Sequence, residues 1–323
     1  MRVAAVPGVR RVLPALALGF AFNAHSASND AMVWLSRAAS AAREATYEGV
    51  YVHVNGERIS TVRVAHVNQG LEEHERIEPL DGPAPVEIVR RNDERYCRFP
   101  DKTVKLDPRV TNRFFPAILA ASAETIAASY DVSLGPTERV LGYECQWIKL
   151  DPRDDLRFAQ RVCAESATGL ILRAKVINSQ RHAIEQYTFT ELKIGTARSD
   201  LRSIFKARSR QWVTDGQARD ETSSTDTGWV PNKIPAGFHK VAEMKRTLPG
   251  RPSAVAQIVL TDGVASLSLF VEPAAAARKV ETASQEGTTA FYSRPEGDQV
   301  ISVLGEVPLA TAQLVARSVT RRP

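Results

Sequence analysis

Residues 135–195 read GPTERVLGYECQWIKLDPRDDLRFAQRVCAESATGLILRAKVINSQRHAIEQYTFTELKIG, and the alternation inside this stretch decides the fold class. Leu170, Leu172, Ala174 and Val176 occupy every second position, with Arg173 and Lys175 between them. That period belongs to a strand with one covered face and one wet face. Ile148 and Leu150 flank Lys149, and Tyr187 and Phe189 alternate with Thr188 and Thr190. Turn-forming residues separate the runs: Asp151-Pro152-Arg153-Asp154-Asp155 and Asn178-Ser179-Gln180. The pattern predicts strands at Glu138–Leu141, Cys145–Leu150, Leu170–Ile177 and Ile184–Ile194, joined in an antiparallel sheet. A chain that spends this length on uninterrupted strands builds an extended surface, which suits binding better than catalysis.

On the N-terminal side, Met32, Leu35, Ala38, Ala39 and Ala42 predict a helix over Asp30–Ala45. Strands follow at Tyr47–Asn55, Ile59–Val67, Leu71–Ile77, Val86–Arg91, Arg95–Phe99 and Thr103–Leu106. Asn55-Gly56 marks a hairpin between the first two. Phe115–Ala128 reads as a helix with Pro116 in its first turn. On the C-terminal side, residues 214–228 contain little but polar and small side chains, and 206–228 reads as a flexible linker. Beyond it, strands are expected at Ala254–Thr261, Ala265–Val271, Thr288–Arg294 and Gln299–Glu306, with a closing helix from Pro308 to Val319. With 323 residues the chain exceeds one comfortable core. The expected organisation is an α+β protein: a signal segment at 1–26, a large unit at 28–205, the linker, and a small antiparallel unit at 229–323.

Hydrophobic residues make up 43% and charged residues 24%, so the bulk of the chain folds. The formal charge is +5, but Arg2, Arg10 and Arg11 fall in the signal segment, and residues 229–323 hold eleven Lys/Arg against eight Asp/Glu. That excess is too small for a nucleic-acid binder by charge alone. Arg2, Arg10 and Arg11 precede a short apolar run, Val12 to Phe22, and small residues follow, as in an export signal. Export makes a disulfide expected among Cys97, Cys145 and Cys163. Cys97 and Cys145 both fall on strand-like segments, so Cys97–Cys145 is the expected pair.

Motifs for chemistry are missing. The chain has no Gly-rich phosphate loop, no His-Glu-x-x-His pair and no Gly-x-Ser-x-Gly elbow, so neither catalysis nor a metal or other cofactor is expected. Two candidate binding surfaces are left. Val50, Val52 and Val54 share a strand face, while Phe114, Phe115, Ile118 and Leu119 cluster at a predicted helix start. With Leu170, Leu172 and Phe189 they line an apolar cavity for an acyl chain, or else form an ordinary core. Lys240, Lys245, Arg246 and Arg251 surround Leu248-Pro249-Gly250 and offer a basic docking loop for an acidic partner, or a solvated loop.

Short pieces in a fixed order then carry a likeness: Leu80-Asp81-Gly82 with Glu87-Ile88-Val89-Arg90-Arg91, Glu138-Arg139-Val140 with Cys145, Pro152-Arg153-Asp154 with Arg157, Thr168-Gly169-Leu170, and Ile184-Glu185-Gln186. Further on come Trp229-Val230-Pro231, Pro235-Ala236-Gly237-Phe238, Leu248-Pro249, Thr261-Asp262-Gly263, and Gly305-Glu306-Val307-Pro308. Together they resemble the RseB/MucB family of periplasmic regulators of the envelope-stress sigma factor. The chain departs from the family pattern at Cys163, where members usually carry Trp. The resemblance implies a half-open β-barrel with helices in its concavity, like the lipoprotein carrier LolA, followed by a small partner-binding domain. It implies binding to the periplasmic region of the anti-sigma factor RseA/MucA, shielding it from the DegS-type site-1 protease until a lipid-like or lipopolysaccharide ligand releases the block. Attachment to the inner membrane would be through that partner, and a homodimer or higher oligomer is compatible with it. A periplasmic lipid or lipoprotein carrier is the alternative.

Overall fold

A computed structural model describes residues 22–68, 70, 72–82, 86–92, 94–100, 103–106, 114–119, 121–195, 225–247, 253–274 and 280–322. Residues 1–21 of the expected signal, 206–224 of the expected linker, and Arg251 lie outside them. The large unit starts with α1 (Phe22–Glu44) and continues through β1 (Tyr47–Asn55), β2 (Arg58–Asn68), β3 (Glu73–Pro79), β4 (Glu87–Arg91), β5 (Glu94–Arg98) and β6 (Thr103–Leu106). After α2 (Ala123–Ala127) come β7 (Tyr130–Val140), β8 (Tyr143–Pro152), β9 (Ala159–Glu165), β10 (Ile171–Ile177) and β11 (Ala183–Ile194). All eleven strands form one sheet in the order β6-β5-β4-β3-β2-β1-β11-β10-β9-β8-β7. Every pairing in it is antiparallel.

The helix lies across this sheet because its apolar stripe has helical spacing. Ala31, Leu35, Ala38 and Ala42 are all buried. Small alanines let the helix sit close to Val62, Val64, Ile148, Leu150, Leu170 and Leu172 of the sheet, with which it forms one core. Truncating Leu35 to Ala would cost about 2–5 kcal/mol in such a site. The run Phe115–Ala128, expected to be helical, is helical only at Ala123–Ala127. Ser122 is a cap, not an interior residue: its Oγ accepts from Thr125 N at 3.3 Å.

The small unit contains β12 (Trp229–Pro231), β13 (His239–Thr247), β14 (Ala254–Thr261), β15 (Ser266–Pro273), β16 (Thr282–Glu286), β17 (Thr289–Glu296), β18 (Gln299–Glu306), α3 (Leu309–Arg317) and β19 (Val319–Arg321). Six strands form an antiparallel sheet ordered β13-β14-β15-β18-β17-β16. Ala312, Val315 and Ala316 of α3 pack on its Tyr292, Ile301 and Val303. The β12–β19 pair ties the start of the unit to its end.

Two expectations are corrected here. The disulfide joins Cys145 to Cys163, not to Cys97, which is free. Cys145 and Cys163 sit on neighbouring strands with Cα atoms 5.4 Å apart, whereas Cys97 lies on β5, separated from β8 by seven other strands in the sheet order. A disulfide tolerates only a short Cα separation. The partner was missed because β9 was not read as a strand: Val162, Cys163, Ala164 and Glu165 are buried in succession, which erases the alternation. Lys240, Lys245 and Arg246 likewise lie on strand β13 and not in a loop, while Leu248-Pro249-Gly250, around which the loop was expected, lies outside the described residues.

Candidate functional site

The residues expected to line an acyl cavity divide into two groups. Phe115, Leu119, Leu170, Leu172 and Phe189 are buried together in the core beneath α1, with Phe114 and Ile118 packed at its margin. Val50, Val52 and Val54 do not belong to that core. Tyr51, between two of them, does, so strand alternation puts the three valines on the opposite face of β1. The structure therefore brings Phe115, Leu119 and Phe189 together and leaves the valines apart from them.

At the centre of the core, the Tyr51 ring stands edge-on to Phe115 and Phe189, with centroids 5.0 and 6.0 Å away. Phe115 stacks on Tyr187 at 5.2 Å, and Tyr187 stacks on His53 at 4.2 Å. Strand pairing explains the stack, because His53 faces Tyr187 and Tyr51 faces Phe189 across β1 and β11. Such ring pairs add about 0.5–1.5 kcal/mol each beyond the area they bury.

The ring stack ends at Glu185, where the large unit meets the small one. Glu185 is buried. Its Oε1 accepts from Tyr187 OH at 2.7 Å and lies 2.7 Å from His53 Nε2, while its Oε2 accepts from Thr288 Oγ1 at 2.9 Å. Thr288 N donates to Asn55 Oδ1 at 3.1 Å. Burial and the neighbouring Glu185 charge push Glu306, which faces Thr289 across β17 and β18, up to about 7. Burial and the Glu185 charge also raise the Tyr187 phenol well above its ordinary range.

A second junction holds the other end of the same seam. Arg157 and Asp262 side chains have no exposed surface and meet at 2.7 Å. The same guanidinium donates to both oxygens of Asp154, at 3.0 and 2.9 Å, and to Ala236 O at 2.5 Å. It lies over the Tyr130 and Phe238 rings at 5.7 and 5.3 Å. The other Asp262 oxygen accepts from the amides of Val264 and Ala265. Thr311 Oγ1 of α3 donates to Leu156 O at 2.8 Å. Glycines allow the close approach at each end. Gly263 and Gly287 both have positive φ, and an added Cβ would overlap Ala121 Cβ or Asn55 Oδ1.

Between the two junctions the seam opens into a cleft of about 450 Å³, lined by residues including Val54, Phe158, Ile184, Gln186, Pro308 and Leu309. Val54 thus lines a surface cleft rather than the interior of the sheet. Among the expected docking residues, Lys240 pairs with Glu243, Lys245 is exposed, and Arg246 is half-buried. Lys245 and Arg246 are adjacent on a strand and so point to opposite faces.

The inner face of β2–β4 carries a polar cluster. His66 lies 3.0 Å from Glu73, Arg90 bonds Glu73 and Glu75, and the His66 ring stacks on Tyr47. Burial acts to raise the Glu73 carboxyl, but the His66 and Arg90 hydrogen bonds outweigh it and hold the group at about 2. No group of three metal-ligating side chains occurs among the described residues. Among the same residues no helix is long and apolar enough to cross a membrane.

Apart from Val54, sequence reasoning named none of the seam residues as a site, although the signal was present. Several of the pieces that carried the family likeness converge there. Asp154 and Arg157 meet Ala236 and Asp262 at one end, and Glu185 bonds Thr288 at the other.

Comparisons with known proteins cover both units. The MucB/RseB N-terminal domain matches residues 30–214, and the MucB/RseB C-terminal domain matches residues 223–320. The sigma factor AlgU regulatory protein MucB of Pseudomonas aeruginosa is 30% identical over 298 residues, covering 90% of each chain. The sigma-E factor regulatory protein RseB of Escherichia coli is 21% identical over 284 residues, 86% of this chain and 87% of that one. The solved complex of Pseudomonas aeruginosa MucA and MucB superposes with a TM-score of 0.72 at 28% identity, covering 91% of this chain and 99% of that chain.

Proposed function

The chain belongs to the MucB/RseB family, and from that premise we propose that it is a periplasmic regulator, not an enzyme. It binds the periplasmic region of a MucA- or RseA-type anti-sigma factor and shields it from site-1 proteolysis. The observation that carries this reading is the match to MucB in its complex with MucA, which extends over 91% of the chain.

In this reading residues 28–205 form a half-open, LolA-like barrel that senses lipid, 206–228 link the units, and 229–323 supply most of the partner contact. The solvent-exposed Lys245 on β13 offers an acidic partner a cation, whereas Lys240 is already neutralised by Glu243. An acyl chain enters the barrel by displacing the Phe114–Leu119 segment, and it then lies on Leu170, Leu172 and Phe189. Linkage fixes the consequence: a ligand that favours the free form lowers partner affinity by the factor with which the partner lowers ligand affinity.

Calorimetric titration of the anti-sigma periplasmic segment, with and without a dodecyl-chain amphiphile, tests the reading. Binding is expected, and the amphiphile should weaken it. Tight amphiphile binding with no binding of the segment would make the protein a lipid carrier instead.

A further inference from the structure

We infer that the outer face of β8–β10, together with the seam cleft, is a docking groove for an acidic, extended segment of a protein partner that carries one apolar anchor. Lys149 and Lys175 take the carboxylates of that segment, and the cleft takes the anchor. The inference stands on this face alone and does not depend on the anti-sigma reading.

Strand register places the cations. Lys149 on β8 lies directly opposite Arg161 on β9, and Arg161 lies directly opposite Lys175 on β10. Ile148, Leu150, Val162 and Ala174 belong to the core beneath α1, so alternation turns the three cations to the outer face. Like charges directly opposite one another weaken a sheet, and the neighbouring carboxylates relieve this only in part. Asp151 neutralises Arg161, and Glu138 is taken up by Arg173. Lys175 lies over the Trp147 ring at 5.6 Å. Neither Lys149 nor Lys175 has an ion pair among the described residues, and both are half-buried. A row that costs the sheet stability and leaves two ammonium groups without a counter-charge is built for an anionic visitor.

The same row runs on into the cleft. Gln186 on β11 lies opposite Lys175, and Val54 on β1 lies opposite Gln186. Gln186 and Val54 both line the cleft, with Phe158, Ile184 and Leu309. Charge and apolar recess therefore fall on one line across β8, β9, β10, β11 and β1. Neighbouring strands are about 4.8 Å apart, so Lys149, Lys175 and Val54 follow one another at intervals of about 10 Å. A chain in the polyproline-II form returns to the same face every three residues, about 9 Å further on. The segment that fits reads acidic-x-x-acidic-x-x-apolar. A flat bilayer would meet the lysines but could not enter a recess between two sheets, which favours a peptide.

The groove is tested by fluorescence anisotropy of a dye-labelled, proline-rich nonapeptide titrated with the full chain. The peptide carries glutamate at its first and fourth positions and leucine at its seventh. Binding is expected, and it should weaken at least about tenfold in the Lys149→Glu/Lys175→Glu protein. That protein should keep or gain thermal stability, because each new glutamate faces Arg161. Its loss of binding is then not a loss of fold. Val54→Ala should weaken the leucine peptide about fivefold and leave a peptide with serine in place of leucine unchanged. Absence of binding up to millimolar peptide would overturn the proposal. So would equal binding of a peptide with glutamine in place of glutamate, equal binding of the leucine and serine peptides, or full binding by the Lys149→Glu/Lys175→Glu protein. Binding of phosphatidylglycerol vesicles in place of the peptide would make the face a membrane surface and overturn it too.

Discussion

At one end of the seam a guanidinium and a carboxylate, neither with any exposed side-chain surface, meet at 2.7 Å. At the other, a buried carboxylate is held by two hydroxyls and a histidine, with a second carboxylate nearby. The first junction pairs opposite charges, and both Asp262 oxygens are engaged. The second joins the sheets through the hydrogen bonds of Thr288 to Glu185 and Asn55. Placing both in one seam gives a fixed point at the ion pair and a weaker point at Glu185. The stacked rings of His53, Tyr187 and Phe115 connect that weaker point to the core beneath α1.

The largest effect expected from breaking this comparison is at the fixed end. Arg157→Met leaves Asp262 and Asp154 without their cation, and urea denaturation should register a loss of about 3–5 kcal/mol. If the loss is under about 1 kcal/mol, the Arg157 end is not the fixed point. Next comes the Cys145–Cys163 bond, which closes a loop with a sequence separation of 18 within the large sheet. Replacing both cysteines by alanine should cost about 3 kcal/mol in calorimetry and leave the exchange rates of the Thr288 and Val264 amides unchanged, which separates sheet stability from seam closure.

Thr288→Val is a smaller change. It removes a neutral-to-charged hydrogen bond, and about 1.5–3 kcal/mol should be lost at pH 6. A loss under about 0.5 kcal/mol would show that this hydrogen bond does not hold the seam. The smallest effect belongs to the exposed rim, where Arg58→Ala should shift stability by less than about 0.5 kcal/mol and more weakly still in high salt.

Much of the fold was legible because one face of each strand is covered and the other wet. The pattern of Leu170, Leu172, Ala174 and Val176 placed β10 within a residue of its observed start, and Asn55-Gly56 marked the hairpin that reaches the small unit. Strand β9 was not legible, since four successive buried residues carry no period of two. That omission led directly to the wrong disulfide. Strand β13 was hidden by Lys240, Lys245 and Arg246, whose charges read as a loop until pairing with β14 covered the strand between them. The seam was beyond pattern reading altogether. Arg157 and Asp262 are 105 residues apart, and nothing local to either announces the other. What the chain did hold was the set of short family-like pieces, and those around Asp154, Arg157, Ala236 and Asp262 make physical sense only once the two sheets are brought together.

The central claim is that the chain protects an anti-sigma factor, and a protease-protection assay measures it most directly. The periplasmic segment of the anti-sigma factor is incubated with the site-1 protease while the purified full chain is added to saturation. The account predicts that cleavage slows as the segment is bound and that added acyl amphiphile restores it. Cleavage at an unchanged rate with the chain at saturating concentration would contradict the account.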